Sequence, residues 1–538
     1  MEAAAAVSAS QSCERASSGQ ARTASRWPLL LVAALCLAAL GWQLWFGLDP
    51  ADEGFLWYGA QRTVLGELPL RDFQAYDPGR YFWSAAWMLL VGDSGIVALR
   101  AGNVVLAAIT VVLATWPVTS ASAHRHPLSA IAIGAIFTLW MVPGFKVADS
   151  FAVILLLFGL TRLIRRPTPG RYLAGGICWG IAATIGINHA LYGLVAGLLT
   201  LAYLRGAPQL GRTVAFAAAG AAIGYSPMLA LHAFAPEFTA AFIDGIMLLF
   251  EYGATNQSLP FPSPLAFLQV EKMGYLIAAT ETVAALLFLA VPLFWAGMAW
   301  RLRGRASRAA VPAPVLAGLF LSLPYAHYAY SRADPLHLAI SILPVLAAAL
   351  AWGIEAPRGR WVLLSTAFAC SLIVTAHMHP GYYFLRGFLT EPVAVGGDRL
   401  LLRPQVAAQV RAVQKVAGAA ASAQFFAGPY LPAAYAIAAR RSPLWEIYML
   451  FPSSPARQRA EIGRLEAAGV RHAMILAARA DGRADLGLAQ THPLLFAYLR
   501  KCLPRAERLP LEPPLIVLSA DGGQCQQGPV PGFGGRGD

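Results

Sequence analysis

Carboxylates are concentrated in one segment that follows the first long apolar run, residues 47–82. The segment holds six acidic residues against three arginines: Asp49, Asp52, Glu53, Glu67, Asp72 and Asp77. Three aromatic residues follow the adjacent pair Asp52 and Glu53: Phe55, Trp57 and Tyr58. A carboxylate in this setting can act as a general base that takes a proton from a hydroxyl group. The alternative is structural, because acidic residues are common at the outer ends of membrane spans.

A second candidate lies in "FKVADSFAV", at the start of another apolar run. Lys146 could hold a phosphate as a point charge, or it could anchor the chain at the membrane interface. Asp149 could contribute to a site, or it could be a helix cap or first-turn acid that favours the helix dipole. Asn188 and His189 likewise interrupt an apolar stretch, and they either line a cavity or cap a helix.

A third candidate lies in "YAYSRADPLHLAI", between two apolar runs, where Arg332, Asp334 and His337 are close in sequence. Charged residues at membrane depth are costly and therefore suggest function. Arginine can hold a phosphate through paired hydrogen bonds. A local pair between Arg332 and Asp334 that stabilises the turn is the alternative.

The composition indicates a polytopic membrane protein. Of 538 residues, 57% are hydrophobic and 13% are charged, with a mean hydropathy of +0.54, whereas soluble domains carry about 25% charged residues. The six cysteines form no CxxC motif, and the sequence has no Walker motif, no GxGxxG after a strand and no HExxH. We therefore expect neither a metal nor another cofactor. The histidines of "HMHPGYY" have no third ligand near them, so an interfacial location is favoured over a metal site.

Apolar windows of spanning length or slightly less predict about 11 spans. They lie near residues 28–48, 95–116, 128–142, 150–163, 172–187, 190–204, 213–232, 273–299, 311–328, 336–353 and 360–376. The first window lacks a small-residue cleavage site after it, so we interpret it as a retained span rather than a signal peptide.

The distribution of arginine predicts the orientation of these spans. If residues 1–27 form a cytoplasmic tail, one alternation places nearly all arginine clusters on the cytoplasmic side, as the positive-inside rule requires. This arrangement accounts for much of the net charge of +13 without nucleic acid as a partner. It requires that residues 81–90 lie in the membrane interface. The outer loop 49–94, a long loop over 233–272 and everything after residue 377 then face away from the cytoplasm.

The C-terminal part reads as a small extracytoplasmic α/β domain over residues 378–525, after the membrane domain of 28–377. Amphipathic helices are predicted for "PQVAAQVRAVQKVA" and "ARQRAEIGRLEAAGV", and strands for "SAQFFA", "RHAMILA" and "PPLIVLS". The Gly-rich tail 526–538 is expected to be disordered. Cys502 and Cys525 could form a disulfide on the oxidising side of the membrane.

The run "DPADEGFLWYGAQRTVLGELPLRDF…YDPGRYFW" resembles the first outer loop of integral-membrane glycosyltransferases of the GT-C fold. This group includes protein mannosyltransferases, aminoarabinose transferases of lipid A modification and rhizobial core galacturonosyltransferase-like proteins. Their pattern is an Asp-Glu pair after the first span, a G-x-x-P turn and a Pro-containing step before the next helix. The similarity is best over the N-terminal 150 residues and architectural beyond them.

The resemblance implies transfer of one sugar, a hexose or pentose, from a polyprenyl-phosphate donor to a lipid, glycan or protein acceptor at the outer face. It implies Asp52 as the catalytic base with Glu53 beside it, and it adds Asp149 to the site. Asp77 falls at the Pro-containing step and, like Asp334, is expected to contribute to substrate binding. Arg332 and His337 would then hold the departing phosphate, and the donor's tail would lie among membrane lipids. A secondary transporter is disfavoured because the ionisable residues lie at span ends and no repeat is evident. A non-catalytic assembly protein is a further alternative.

Overall fold

The computed structural model describes residues 27–121, 126–204, 210–252, 256–304, 310–356, 359–420 and 424–520. Most of the predicted cytoplasmic tail, the predicted disordered tail and Cys525 lie outside these ranges. The pairing of Cys502 with Cys525 therefore stays a prediction.

Helices dominate the first 385 residues. Their bounds are α1 Trp27–Gly41, α2 Asp52–Val64, α3 Gly79–Val91, α4 Ile96–Ala121, α5 Pro127–Leu139, α6 Val147–Arg165, α7 Pro169–Ile185, α8 Ile187–Tyr203, α9 Leu210–Gly224, α10 Ser226–Phe234, α11 Phe238–Tyr252, α12 Val270–Met273, α13 Tyr275–Arg301, α14 Ala313–Ser331, α15 Pro335–Ser341, α16 Leu343–Gly353, α17 Arg360–Thr375 and α18 Pro380–Leu385. The protein is thus a multi-pass helical membrane protein.

Every predicted apolar window coincides with a helix or with a bent helix pair. Four helices are long and apolar enough to cross a membrane, or up to six if the bent pairs α9–α10 and α15–α16 each count as one span. The number of about 11 spans is therefore not confirmed and stays a prediction.

Two segments that were predicted as loops contain helices. The acidic outer loop folds into α2 and α3, and α3 includes the segment 81–90 that was expected to lie in the interface. The long outer loop predicted over 233–272 contains a helix, because residues 238–252 form α11. Helix α11 is amphipathic, and apolar side chains such as Met247 and Phe250 are exposed on its surface. An amphipathic helix of this kind can form outside the apolar windows of spanning length.

Helices α7 and α9 pack backbone to backbone through pairs of glycines spaced four residues apart. A Cβ added to Gly176 or Gly180 would overlap the carbonyl oxygen of Ala217 or Ala221 on the other helix. Gly220 and Gly224 of α9 meet α7 in the same way. Small residues at this spacing let helices approach closely in a membrane, where packing rather than the hydrophobic effect drives association.

The C-terminal part is the small α/β domain that its sequence predicted. Its elements are β1 Glu391–Val395, β2 Asp398–Leu402, α19 Pro404–Ala419, β3 Phe426–Gly428, α20 Ala433–Ile437, α21 Pro455–Ala467, β4 His472–Leu476, α22 Leu488–Thr491, α23 Pro493–Cys502, β5 Arg505–Leu509 and β6 Leu515–Ser519. β1 and β2 form an antiparallel hairpin, and the other strands form a sheet in the order β3-β4-β6-β5, in which only β3 and β4 are parallel.

The domain docks onto the acidic segment through both backbone and core contacts. The backbone N–H of Gly47 donates to the carbonyl oxygen of Leu401 in β2, at 2.9 Å. Gly54 of α2 leaves no room for a side chain, because an added Cβ would lie 2.6 Å from the backbone nitrogen of Ala433 in α20. Trp57 and Tyr58 of α2 are buried in one core with the domain. This docking brings the C-terminal domain to the start of α2.

We expect Gly180→Ala to destabilise the protein by about 2 kcal/mol, because the added methyl group overlaps a backbone carbonyl that cannot move freely. The check is the midpoint of thermal unfolding of the purified protein in detergent. Gly197→Ala in α8 is the matched control, because its Cβ would meet nothing within 4 Å. Equal midpoints for the two variants would contradict the close packing of α7 on α9.

Candidate active site

A cavity of about 620 Å³ opens between the start of α2, helix α11 and loops of the C-terminal domain. Four of the predicted site residues line it: Asp52, Lys146, Arg332 and His337. The other four do not line it: Glu53, Asp77, Asp149 and Asp334. The cavity therefore brings together one carboxylate and three potentially cationic side chains that are far apart in sequence.

Asp52 is the first residue of α2, where the helix dipole favours a negative charge. The hydroxyl of Tyr448, from the C-terminal domain, donates a hydrogen bond of 2.8 Å to Asp52 Oδ1. Burial and the neighbouring Asp52 carboxylate raise the pKa of Tyr448, so this hydroxyl keeps its proton. Phe55 packs against the rings of both Tyr76 and Tyr448, with ring centres 5.0 and 5.5 Å away. Asp52 thus lies beside a cluster of aromatic rings and is hydrogen-bonded to one of them.

A second carboxylate, Asp49, lies beside Asp52. Its Oδ1 accepts a hydrogen bond of 2.9 Å from the backbone N–H of Ala51. Burial, together with the nearby charge of Asp52, raises the pKa of Asp49 to about 7. At neutral pH the Asp49 carboxyl is therefore protonated for much of the time, which reduces its repulsion of the Asp52 carboxylate.

Glu53 faces away from the cavity and forms an ion pair with Arg100 of α4. Arg100 Nε and Nη2 donate to the two carboxylate oxygens at 2.7 and 2.8 Å. The same guanidinium donates to the carbonyl oxygens of Leu44 and Gly47, at 2.7 and 2.8 Å. The pair fixes the chain that leads into α2.

Asp149 lies in a buried network behind the cavity wall. Arg80 of α3 donates to both of its carboxylate oxygens, at 3.1 and 3.0 Å. His189 Nε2 lies 2.9 Å from Asp149 Oδ1, and its Nδ1 shares a hydrogen bond of 2.5 Å with the hydroxyl of Tyr325. The Arg80 guanidinium also lies over the ring of Tyr76, 4.7 Å from its centre, and Tyr76 lines the cavity. Through Tyr76 the network contacts the wall of the cavity.

Asp77 lies close to the same network, at the turn that leads into α3. Burial raises the pKa of Asp77, and the nearby positive charge of Arg80 opposes this shift. The side chain is half-buried and does not reach the cavity.

Arg332 is paired with two carboxylates. Its Nε donates to Asp334 at 2.6 Å, and its two Nη atoms donate to the carboxylate of Asp481 at 2.7 Å each. Asp334 also caps α15 by accepting hydrogen bonds from the backbone N–H of His337 and from its ring, both at 2.8 Å. The local Arg–Asp pair is therefore present, and a second pair links the membrane domain to the C-terminal domain.

Lys146 differs from Arg332, because it forms no ion pair with any residue in the part of the chain that the structure describes. Its ammonium group therefore remains available to an anion in the cavity. Over the same residues, no group of three or more histidine, cysteine, aspartate or glutamate side chains could hold a metal ion.

Several residues of the site were not among the predicted site residues, including Arg80, Arg100, Tyr325 and Tyr448. For two of them a signal existed, since Arg80 follows the acidic motif and Arg100 interrupts an apolar window, and charges in such segments suggest a buried partner. Tyr325 and Tyr448 lie in ordinary aromatic-rich stretches with no local signal. The sequence left open whether His189 lines a cavity or caps a helix. In the structure His189 is buried in the first turn of α8.

No protein-family model and no curated protein matches the sequence. Among solved structures, the chain is similar to ArnT from Cupriavidus metallidurans bound to undecaprenyl phosphate, with a TM-score of 0.51 and 13% identity over 93% of this chain and 99% of that one. It is also similar to the oligosaccharyltransferase of Archaeoglobus fulgidus in its apo form, with a TM-score of 0.43 and 12% identity over 91% of this chain and 74% of that one. The likeness to ArnT over nearly the full length of both chains shows that this protein has the GT-C fold.

We expect Arg80→Met to destabilise the protein by roughly 3–5 kcal/mol, because it leaves the Asp149 carboxylate buried without its cation. Adding Asp149→Asn to this variant removes the unpaired charge and recovers part of the loss. Unfolding in detergent measures both effects as a double-mutant cycle. The control is Arg411→Met, whose partner Glu391 is exposed, so that the loss is about 1 kcal/mol or less. Additive losses for the two buried residues would contradict the pairing.

The raised pKa of Asp49 makes stability depend on pH. A carboxyl whose folded pKa of about 7 exceeds its ordinary value of 3.8 stabilises the fold at low pH, and this contribution is lost as pH rises through 7. Asp49→Asn has no titrating carboxyl at this position and does not lose this contribution. The difference in stability between the variant and the wild type should therefore shift in favour of the variant from pH 5 to pH 8. Unfolding midpoints at several pH values are the measurement, and parallel curves for the two proteins would contradict the shift.

Proposed function

We propose that this protein is a membrane glycosyltransferase that moves a sugar from a polyprenyl-phosphate donor to a lipid-linked, glycan or protein acceptor. The observation that supports it is one cavity that holds the Asp52 carboxylate together with Lys146, Arg332 and His337. Such a site offers a base for an acceptor hydroxyl and positive charge for a departing phosphate. The GT-C fold agrees with this chemistry.

The size and lining of the cavity suit a sugar phosphate. Its volume of about 620 Å³ falls within the range of roughly 300–1,000 Å³ that is usual for small-molecule sites. Tyr76, Tyr430, Trp445 and Tyr448 supply aromatic surface, and Leu248 of α11 supplies apolar surface near the membrane domain. A polyprenyl tail would leave the cavity along apolar helices and lie among membrane lipids.

In the proposed reaction, an acceptor hydroxyl attacks the anomeric carbon of the sugar with inversion. The new bond joins the acceptor oxygen to that carbon, and the bond from the carbon to the phosphate oxygen breaks. Asp52 takes the hydroxyl proton through Oδ2, since the hydrogen bond from Tyr448 occupies Oδ1. The electron pair leaves with the polyprenyl phosphate, whose charge Lys146 stabilises, while Arg332 lines the same cavity.

The predicted residues outside the cavity have positioning roles in this proposal. Glu53 fixes the start of α2 through Arg100, and Asp149 holds Arg80 against Tyr76. Asp334 orients both Arg332 and His337. Asp77 contributes to the turn from which Arg80 extends.

The proposed location is a bacterial inner membrane, with the N-terminus in the cytoplasm and the cavity on the outer face. The arginine distribution supports this orientation. On that face a carrier-linked sugar and an envelope acceptor can meet without either one leaving the membrane surface.

We expect Asp52→Asn to lower the rate of transfer about 100-fold or more, which is the usual contribution of a general base. The assay uses purified protein with radiolabelled polyprenyl-phosphate sugars and an envelope lipid extract as acceptor. Tyr448→Phe should give a smaller loss, because it removes only the hydrogen bond to Asp52. Glu391→Gln is the control, as this carboxylate lies in a surface ion pair away from the cavity.

Transfer by Asp52→Asn at the wild-type rate would exclude Asp52 as the base. Absence of transfer by the folded wild-type protein with every donor would instead favour a non-catalytic assembly protein.

A further inference from the structure

A second cavity lies at the opposite end of α6 from Asp149. Its volume is about 390 Å³, and its lining comes from the end of α6, the connection to α7 and the start of α7. The residues that define it are Phe158, Arg162, Thr168, Arg171, Gly175 and Cys178. Arg162 is 13 residues after Asp149, which on a helix corresponds to about 20 Å. This cavity is therefore separate from the candidate active site and close to the other surface of the membrane.

Two arginines face this cavity without any acidic partner. Neither Arg162 nor Arg171 forms an ion pair or a side-chain hydrogen bond with a residue in the described ranges of the chain. Both side chains are half-buried. By contrast, Arg80, Arg100 and Arg332 are each paired with a carboxylate. Two like charges that line one cavity repel each other, and an anion bound between them would remove this repulsion.

Arg162 is also held in place by aromatic rings. Its guanidinium lies 5.5 Å from the ring centre of Trp116 and 5.3 Å from that of Phe158. Such cation–π contacts restrict the side chain but leave its N–H groups free to donate. The site is therefore partly preorganised for an anion that accepts several hydrogen bonds, such as a phosphate.

The position of the cavity matches the headgroup level of a membrane. It lies where the apolar helix that includes α6, Gly144–Arg165, ends in basic residues. Trp116 is 42% exposed at the same level, and tryptophan is typical of the interface between lipid and water. Ala174 at the edge of the cavity is exposed as well, so an acyl chain could pass from the cavity along the outer surface of α7.

We propose that this cavity binds the phosphodiester headgroup of an anionic phospholipid in the leaflet opposite the sugar-transfer cavity. Arg162 and Arg171 donate hydrogen bonds to the phosphate oxygens, and the Thr168 hydroxyl reaches the headgroup. Basic pockets between membrane helices are suited to anionic headgroups. The lipid binds without any covalent step and independently of the proposed transferase reaction.

The test measures lipid binding to the delipidated full-length protein in detergent by native mass spectrometry. Dioleoyl phosphatidylglycerol should bind more tightly than dioleoyl phosphatidylcholine, because the zwitterionic headgroup repels the two guanidiniums with its own cation. Arg171→Gln should weaken phosphatidylglycerol binding about tenfold, and Arg162→Gln with Arg171→Gln about 100-fold, since a hydrogen bond to a charged group contributes roughly one factor of ten.

Two further variants separate binding from folding. Gly175→Leu keeps both arginines but fills the cavity, and the first added atom would meet nothing within 4 Å. It should therefore also abolish tight binding while the protein stays folded. Arg166→Gln is the matched control, because this exposed arginine follows the same helix but does not line the cavity. It should leave binding within about twofold of the wild type.

Three outcomes would overturn the proposal. The first is equal binding of phosphatidylglycerol and phosphatidylcholine. The second is a loss in Arg166→Gln as large as that in Arg171→Gln, which would indicate general surface charge. The third is binding of soluble glycerol 3-phosphate as tight as that of the lipid, which would indicate a site for a free phosphate.

Discussion

The ion pair between Glu53 and Arg100 fixes the start of α2, and the geometry of the candidate site depends on the position of this helix end. Arg100 binds the Glu53 carboxylate and also the carbonyl oxygens of the chain that precedes α2. Because consecutive residues on a helix point about 100° apart, anchoring Glu53 against α4 turns Asp52 toward the cavity. The adjacent carboxylates thus have different surroundings: one is neutralised inside the protein, and the other faces the cavity with a hydrogen bond from Tyr448.

The same principle extends over the rest of the site. Arg80 neutralises Asp149, and Arg332 is shared by Asp334 and Asp481. Asp52 and Lys146 form no ion pair within the described ranges of the chain, although both line the cavity. Both side chains are half-buried, so the carboxylate and the ammonium are open to ligands that enter the cavity. The proposed transfer reaction provides such ligands, an acceptor hydroxyl and a donor phosphate.

The C-terminal domain completes the cavity rather than lying apart from it. It supplies Tyr448 to Asp52 and Asp481 to Arg332. Helix α11, which borders the cavity, contacts the domain through the stacked rings of Tyr252 and Phe451, 4.7 Å apart, and through the pair of Glu251 with Arg457. The two domains are separate in the sequence, but both contribute residues to the same site. A change in the C-terminal domain is expected to affect binding in the cavity.

The sequence by itself determined the apolar helices, the membrane class and the amphipathic and strand segments of the C-terminal domain, because these depend on local periodicity and composition. It also pointed to eight candidate site residues, since charges at the ends of apolar runs are conspicuous, and four of these line the cavity: Asp52, Lys146, Arg332 and His337. It did not reveal the β1–β2 hairpin or the charged edge strand β5, whose residues show little hydrophobic alternation. Only the tertiary structure decided which carboxylate faces the cavity and which has a buried arginine as partner. That choice depends on contacts such as Tyr448 with Asp52, which join residues 396 positions apart and leave no local pattern in the chain.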